Sequence, residues 1–306
     1  MRAINRNKII AVMSAIVVFM VSMCTYSGET KATNTDREYY VYDAQSPSEE
    51  PIRDYTLYAF DTYPNINNTR SLIGDNRYPD WSKSGVVKLR MPTICAGTGF
   101  VVDEHTIATA AHCVYTVETQ TSKAINDILL FDASGNVEMI VTPVEMHVPE
   151  LYVYGKGNRE YDARYDYALI TVEEDLSDYM CFNLGATLDN ADEYDLDVKI
   201  TGFPQKVTIN NNDETVNNYL SHNMYTSEGT ITDVTEMQIV SYHYTSPGNS
   251  GGPIYIEETR GSYTYCSVLG ILSSGVSPDY VCTTRITTDL LHFYRNNPNL
   301  IYETEE

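Results

Sequence analysis

The sequence predicts an all-β body beginning near Val86, and three observations carry that prediction. Short runs rich in Val, Ile, Leu, Thr and Phe recur from Val86 to Leu272, Gly, Pro, Asn, Asp or Ser punctuates them, and only the tail has helical spacing. The runs are residues 86–89, 99–102, 106–109, 128–131, 168–172 and 198–200, followed by 229–231, 238–240, 253–256 and 267–272. Many short strands of this kind bury their apolar faces against one another, as a sandwich or barrel. The exception is the stretch from about Thr287 to Arg295, where Leu290, Leu291 and Tyr294 are spaced to share a helical face. With 306 residues the chain has room for two domains, yet all-β folds commonly exceed 200 residues as one unit, so length leaves the count open.

What precedes the body has a different texture. Arg2, Arg6 and Lys8 form a basic leader ahead of an apolar run from Ile9 to about Met23, with polar Thr25 and Ser27 after it. That is the pattern of a secretory signal, and residues 1–32 are expected to be one. A membrane-spanning helix needs roughly 20 apolar residues, more than this run supplies. Val21-Ser22-Met23-Cys24 loosely resembles a lipoprotein cleavage box, but Met23 is bulky where a small residue is required. Residues 33–70 are polar, contain Pro47, Pro51 and Pro64 and keep no period, and read as a propeptide or linker ahead of a 71–306 body. The expectation is a protein secreted to the medium or held at the cell surface, monomeric, and without a membrane segment once its signal is removed.

Charge and cysteines narrow the class. The chain carries a formal charge of −22, and residues 71–306 hold thirteen bases against thirty-four acids. A body so acidic repels polyanions and has no Lys/Arg cluster to bind phosphates, which argues against nucleic acid as a partner. Beyond Cys24 the cysteines are Cys95, Cys113, Cys181, Cys266 and Cys282, an odd set that permits two bridges outside the cell and leaves one thiol, assigned here to Cys181. His105, His147, His222, His243 and His292 lack the paired spacing of a metal site, so neither metal nor cofactor is expected.

Three segments carry a coherent chemistry. A serine hydroxyl is a poor nucleophile at neutral pH; it needs a base for its proton, a carboxylate to orient that base, and donors for the oxyanion. Thr109-Ala110-Ala111-His112-Cys113 brings a histidine to the end of a β-run. Tyr165-Asp166-Tyr167-Ala168 places a carboxylate at the mouth of a strand. Ser246-Pro247-Gly248-Asn249-Ser250-Gly251-Gly252 surrounds a serine with glycines, so that the backbone is free to turn successive N–H groups towards one oxygen. Asp162 competes with Asp166, but Ala163-Arg164 does not start a strand.

In order and spacing these segments resemble the chymotrypsin-like serine endopeptidases, in particular a bacterial branch that includes the glutamyl endopeptidases. The resemblance runs from about Ser71 to the tail. It takes in Ser71-Leu72-Ile73-Gly74, which is similar to that branch's mature N-terminus, and Thr201-Gly202-Phe203-Pro204, Ser227-Glu228-Gly229-Thr230 and Thr284-Arg285-Ile286. The resemblance implies two packed six-stranded antiparallel β-barrels with a cleft between them. It implies a serine endopeptidase acting on protein or peptide substrates through an acyl-enzyme, with His112 as base, Asp166 as its orienting carboxylate and Ser250 as nucleophile. The Gly248 and Ser250 N–H groups would form the oxyanion hole, Ser273 and Gly275 would lie on the strand that pairs with substrate backbone, and Thr245 and Leu272 would line the specificity pocket. It further implies a Cys95–Cys113 bridge beside the histidine, with Cys266–Cys282 as the second pair.

The resemblance is incomplete at three positions. Asn249 stands where many animal members carry an Asp that pairs with a freed N-terminal amine, which leaves that mode of activation without support; the leader is instead expected to be cut after Arg70. Leu272 replaces the pocket histidine of glutamyl endopeptidases, and Tyr244 replaces the acid that selects Lys or Arg, so an uncharged residue is expected on the acyl side of the cut. Two rivals are distinguishable. Gly248-Asn249-Ser250-Gly251-Gly252 also fits G-x-S-x-G, but that class puts its acid and histidine after the serine, and only His292 follows Ser250 here. The other rival is a catalytically silent relative that binds peptides or a partner protein, which a Ser250→Ala variant with unchanged behaviour would reveal.

Overall fold

In the computed structural model, residues 39–43, 70–72, 83–91, 96–117, 119, 121–123, 125–132, 134–154, 163–184, 196–209, 214–217, 222–235, 237–260, 263–277 and 280–296 are described. Strands β1 (Tyr39–Asp43), β2 (Arg70–Leu72), β3 (Lys83–Arg90), β4 (Ala96–Asp103) and β5 (Thr106–Thr109) lead to a short helix, α1 (Ala111–Val114). There follow β6 (Tyr115–Thr116), β7 (Thr121–Ser122), β8 (Asp127–Asp132), β9 (Val137–Val141) and β10 (Pro143–Pro149), then α2 (Glu150–Tyr154), a 3-10 turn (Ala163–Tyr165) and β11 (Ala168–Val172). The second half holds β12 (Asp197–Gly202), β13 (Lys206–Ile209), β14 (Glu214–Asn217), β15 (Tyr225–Val234), β16 (Gln238–Tyr242), β17 (Pro253–Arg260), β18 (Tyr263–Ser277), β19 (Tyr280–Arg285) and α3 (Thr288–Asn296).

The strands sort into two units. The first is an eight-stranded sheet in the order β1-β10-β11-β5-β4-β3-β8-β9, curled but, among the described residues, not joined edge to edge. The second runs β12-β17-β18-β19-β16-β15, and β15 pairs again with β12, which closes a six-stranded barrel; β2 lies outside it against β15. The all-β expectation and its two-unit architecture hold, with one barrel closed and the other half-open.

Burial explains why these residues form these strands. Runs such as β5 and β11 are buried along their whole length, on both faces of the sheet. Inside the closed barrel Val198, Ile200, Ile231, Ile239, Ile254, Leu269, Leu272 and Val281 form their own cluster. Aromatic pairs seat one unit on the other: Phe131 stacks on Phe203 at 4.8 Å and Phe182 meets Tyr255 edge-on at 5.4 Å. The tail helix buries Leu290, Phe293 and Tyr294, with Leu291 only partly covered, so the i, i+3, i+4 face is rotated slightly from the one expected. Phe293 packs edge-on against Tyr167, next to Asp166, at 5.2 Å.

The expected disulfides are not formed. Cys113, Cys181, Cys266 and Cys282 are all thiols. Cys266 pairs across β17/β18 with Glu257, whereas Cys282 pairs across β18/β19 with Ser274, eight residues further along β18. At about 3.3 Å per strand residue, that separation is far beyond the roughly 7 Å that a bridge tolerates between Cα atoms. Burial pushes both thiols up to about 12, aided by the charge of Glu257 at Cys266 and of Asp166 at Cys282, so both stay protonated. Cys95 lies outside the described residues, and the β4 position facing the Cys113 sulfur is Gly97. Cys181, expected as the single thiol, turns its sulfur onto the Val102 carbonyl at 2.8 Å.

Candidate active site

The chain brings its three candidate residues together from three different connections. His112 sits in α1, directly after the fully buried β5; Asp166 precedes β11, which pairs with β5 in the register Ala168↔Thr109. That pairing fixes the separation of the two side chains. Asp166 is completely buried and holds His112 twice, accepting the His112 backbone N–H at Oδ1 (2.8 Å) and facing Nδ1 with Oδ2 (2.7 Å). A third donor, the Ser273 hydroxyl, reaches Asp166 Oδ2 at 2.5 Å. With Nδ1–H donated to the carboxylate, the lone pair lies on Nε2, the tautomer a general base requires.

Two neighbours decide the basicity of His112. Burial alone would lower its pKa, but the Asp166 carboxylate and the Cys113 sulfur, each also hydrogen-bonded to the ring, outweigh it and raise the imidazole above its usual 6.5. A lysine from outside the expected set steadies the helix: Lys123 Nζ donates to the His112 carbonyl at 2.6 Å, and its backbone N–H to the Val114 carbonyl at 2.7 Å.

Ser250 approaches from the other unit. Cys113 Sγ lies 3.8 Å from His112 Nε2 and 3.6 Å from the Ser250 carbonyl, so imidazole and serine backbone flank one sulfur. The loop around Ser250 needs its glycines. Gly248 has φ +96° and Gly251 φ +84°, and a Cβ at either would lie within 2.4 Å of backbone oxygen, from Phe203 and Thr98 respectively.

The same loop shapes a pair of free donors. The N–H groups of Asn249, Gly251 and Gly252 bond to Ser246, Leu272 and Asn249 carbonyls, whereas those of Gly248 and Ser250 donate to no described residue. Their orientation is nevertheless fixed. In a planar trans peptide the C=O and N–H point in opposite directions. The carbonyl of the Pro247–Gly248 peptide accepts Gln205 N–H at 2.8 Å, and that of the Asn249–Ser250 peptide accepts Gly252 N–H at 2.9 Å. Both N–H groups are thereby aimed away from the protein contacts that hold their peptides.

Beside Ser250 lies a shallow cleft, open to solvent and lined by Thr245, Ser246, Pro247, Ser250, Leu272, Ser274 and Gly275. Thr245 and Leu272, expected to line a specificity pocket, lie there, and so do Ser274 and Gly275. Ser273 and Gly275, expected on the strand that pairs with substrate backbone, lie on β18, where the Ser273 hydroxyl donates to Asp166. None of the lining side chains is ionisable near neutral pH. Lys123, Gln205 and Ser274 escaped the sequence reading, because their parts are played through backbone bonds and strand position rather than a motif.

A family model described as a trypsin-like peptidase domain matches residues 97–260, a span that holds His112, Asp166 and Ser250. Among solved structures, a Glu endopeptidase in complex with MPD is similar with a TM-score of 0.57 and 17% identity, over 76% of this chain and 98% of that one. At that identity the likeness speaks to the fold alone. No curated protein matches the chain.

Proposed function

The chain belongs to the trypsin-like peptidases, and from that footing we propose that it is a secreted serine endopeptidase working through His112, Asp166 and Ser250. The observation that carries the reading is the combination of a histidine held at two points by a buried carboxylate with two unpaired, pinned N–H groups flanking Asn249. In the proposed reaction Ser250 Oγ attacks the scissile carbonyl while its proton passes to His112 Nε2. The C=O π pair moves onto oxygen, and the Gly248 and Ser250 N–H groups receive the oxyanion. Collapse breaks the C–N bond, His112 returns the proton to the leaving amine, and the acyl-enzyme remains. Water, deprotonated by His112, then attacks the acyl carbon; the bond to Ser250 Oγ breaks, Oγ takes the proton back from His112, and the acid is released. Asp166 stays ionised throughout and supports the imidazolium.

The cleft supports a preference for an uncharged residue on the acyl side, since its lining offers hydroxyls and an apolar floor but no counter-charge. We further propose residues 1–32 as a signal and 33–70 as a leader removed after Arg70. The test is digestion of a diverse peptide mixture, with cut sites read by mass spectrometry and a Ser250→Ala control. Cleavage confined to the unmutated protein, with few Glu, Lys or Arg residues at the cut, is expected. Equal cleavage by both proteins would remove Ser250 from the mechanism.

A further inference from the structure

We infer that Thr98 is a positioning residue for the oxyanion loop, the point at which the first sheet holds the Ser250 segment in its working shape; the inference rests on the serine-endopeptidase reading above. Thr98 lies on β4 in the first unit, is fully buried, and every polar atom it has is engaged. Its backbone N–H donates to the Ser250 carbonyl at 2.9 Å. Its carbonyl accepts the Thr109 hydroxyl at 2.8 Å, which ties it to the strand leading into His112. Its own hydroxyl donates to the Gly248 carbonyl at 2.7 Å and accepts the Phe203 N–H at 3.0 Å.

One residue thus joins the base-bearing strand and the nucleophile through its backbone, and both loops that shape the anion site through its hydroxyl. Phe203 begins the stretch that continues to Gln205, whose N–H fixes the Pro247–Gly248 peptide, and Gly248 carries the first oxyanion donor. The glycines around Thr98 show how closely the loop is fitted to it. A Cβ at Gly202 would stand 2.8 Å from the Thr98 hydroxyl, and one at Gly251 2.2 Å from its carbonyl. A hydroxyl is needed rather than any small polar group, because the site presents one acceptor and one donor to a single atom. Valine fills the same volume and satisfies neither, leaving the Gly248 carbonyl and Phe203 N–H buried without their partner. The loop then relaxes, and the Gly248 N–H leaves the position an oxyanion would occupy.

Such a residue does not touch substrate, so its loss falls on turnover rather than on binding. In the full chain secreted from a bacterial host and assayed on its best-cleaved peptide, Thr98→Val is expected to lower kcat about ten- to hundredfold, with KM held within about twofold. A peptide aldehyde, which forms a tetrahedral adduct, weakens by a similar factor, while a non-covalent product peptide keeps its affinity. Thr98→Ser restores most of the turnover, since it restores the hydroxyl. Thr98→Ala makes the same deletion without a methyl beside the buried carbonyl, and shows the same split should the valine variant fail to fold. Unchanged kcat in a folded valine or alanine variant, or a loss that appears in KM and product binding as much as in kcat, overturns the role of Thr98. Turnover that survives Ser250→Ala overturns instead the serine mechanism on which that role depends.

Discussion

Gly97→Cys should staple the base-bearing helix to the first sheet. A Cβ placed on Gly97 falls 3.6 Å from the Cys113 Cβ and 3.1 Å from its sulfur, with only an ordinary 3.5 Å contact to Leu89 besides. Disulfide-bonded residues commonly hold their Cβ atoms about 3.5–4.5 Å apart, so the new thiol needs little backbone movement to reach Cys113. The bridge would close a loop between positions 97 and 113, for which loss of chain entropy in the unfolded state is worth about 3 kcal/mol. For a unit of this size that corresponds to a Tm increase of about 6–12 °C. Thiol titration in denaturant should show two fewer reactive groups than in the same variant after reduction, and peptide mapping should recover the 97–113 link. Melting the oxidised and reduced forms side by side gives the increment. The bridge also ends the bond between the Cys113 sulfur and the His112 ring, one of the contacts that raise the imidazole, so the acid limb of the pH–rate profile should move down. A variant in which both thiols stay titratable under air, or whose oxidised form melts no higher than its reduced form, refutes the geometry.

Two further tests concern protons. In the proposed mechanism neutral His112 is the active form, so kcat/KM should rise with pH through a midpoint above 6.5, the direction in which Asp166 and Cys113 shift it against burial. Asp166→Asn removes the carboxylate and leaves the burial, so the His112 titration followed by NMR in a Ser250→Ala background should move to lower pH; an unmoved midpoint contradicts the electrostatic assignment. His243, fully buried, is lowered to about 4 by burial, which the bond from its Nε2 to the Val198 carbonyl only partly offsets. The unfolded chain takes up that proton near 6.5 and the folded one only near 4, so this stabilisation is complete above about 6.5 and is lost as the pH falls towards 4, by up to about 3 kcal/mol. His243→Gln should flatten the fall in denaturant stability between pH 7 and 4 relative to the unmutated protein, and parallel curves would count against the assignment.

The features legible in the sequence were those whose chemistry confines them to particular residue types. β5 and β11, buried along their whole length, announce themselves as short runs of apolar residues and threonine without charge, and their ends deliver His112 and Asp166. β9 and β10 gave no such signal. β9 leaves Val137 and Ile140 exposed, and β10 is bounded by Pro143 and Pro149 and carries a register shift, so neither keeps an even alternation. Thr98 was illegible for a different reason. Its hydroxyl meets a carbonyl 150 positions away, and no local pattern records a bond that only the docking of two units creates. The cysteines misled because counting gives parity but not distance, and the β18 register that separates Cys266 from Cys282 exists only after folding.

The strand β2 gives the leader a further meaning. Arg70, Ser71 and Leu72 are registered against Ser227, Thr226 and Tyr225 of β15, so the bond proposed for cleavage lies within a paired strand. A peptidase reads its substrate as an extended chain whose backbone it must pair with itself, and here that backbone is already taken. On the proposed cleavage after Arg70, an activating enzyme would have to wait for β2 to peel from the barrel, and where that opening is faster than cleavage the rate of maturation would follow how often it occurs. Side-chain changes along 225–227 that loosen the strand would then advance the onset of activity without touching the catalytic centre. In such a protein, a three-residue strand acts as a timer.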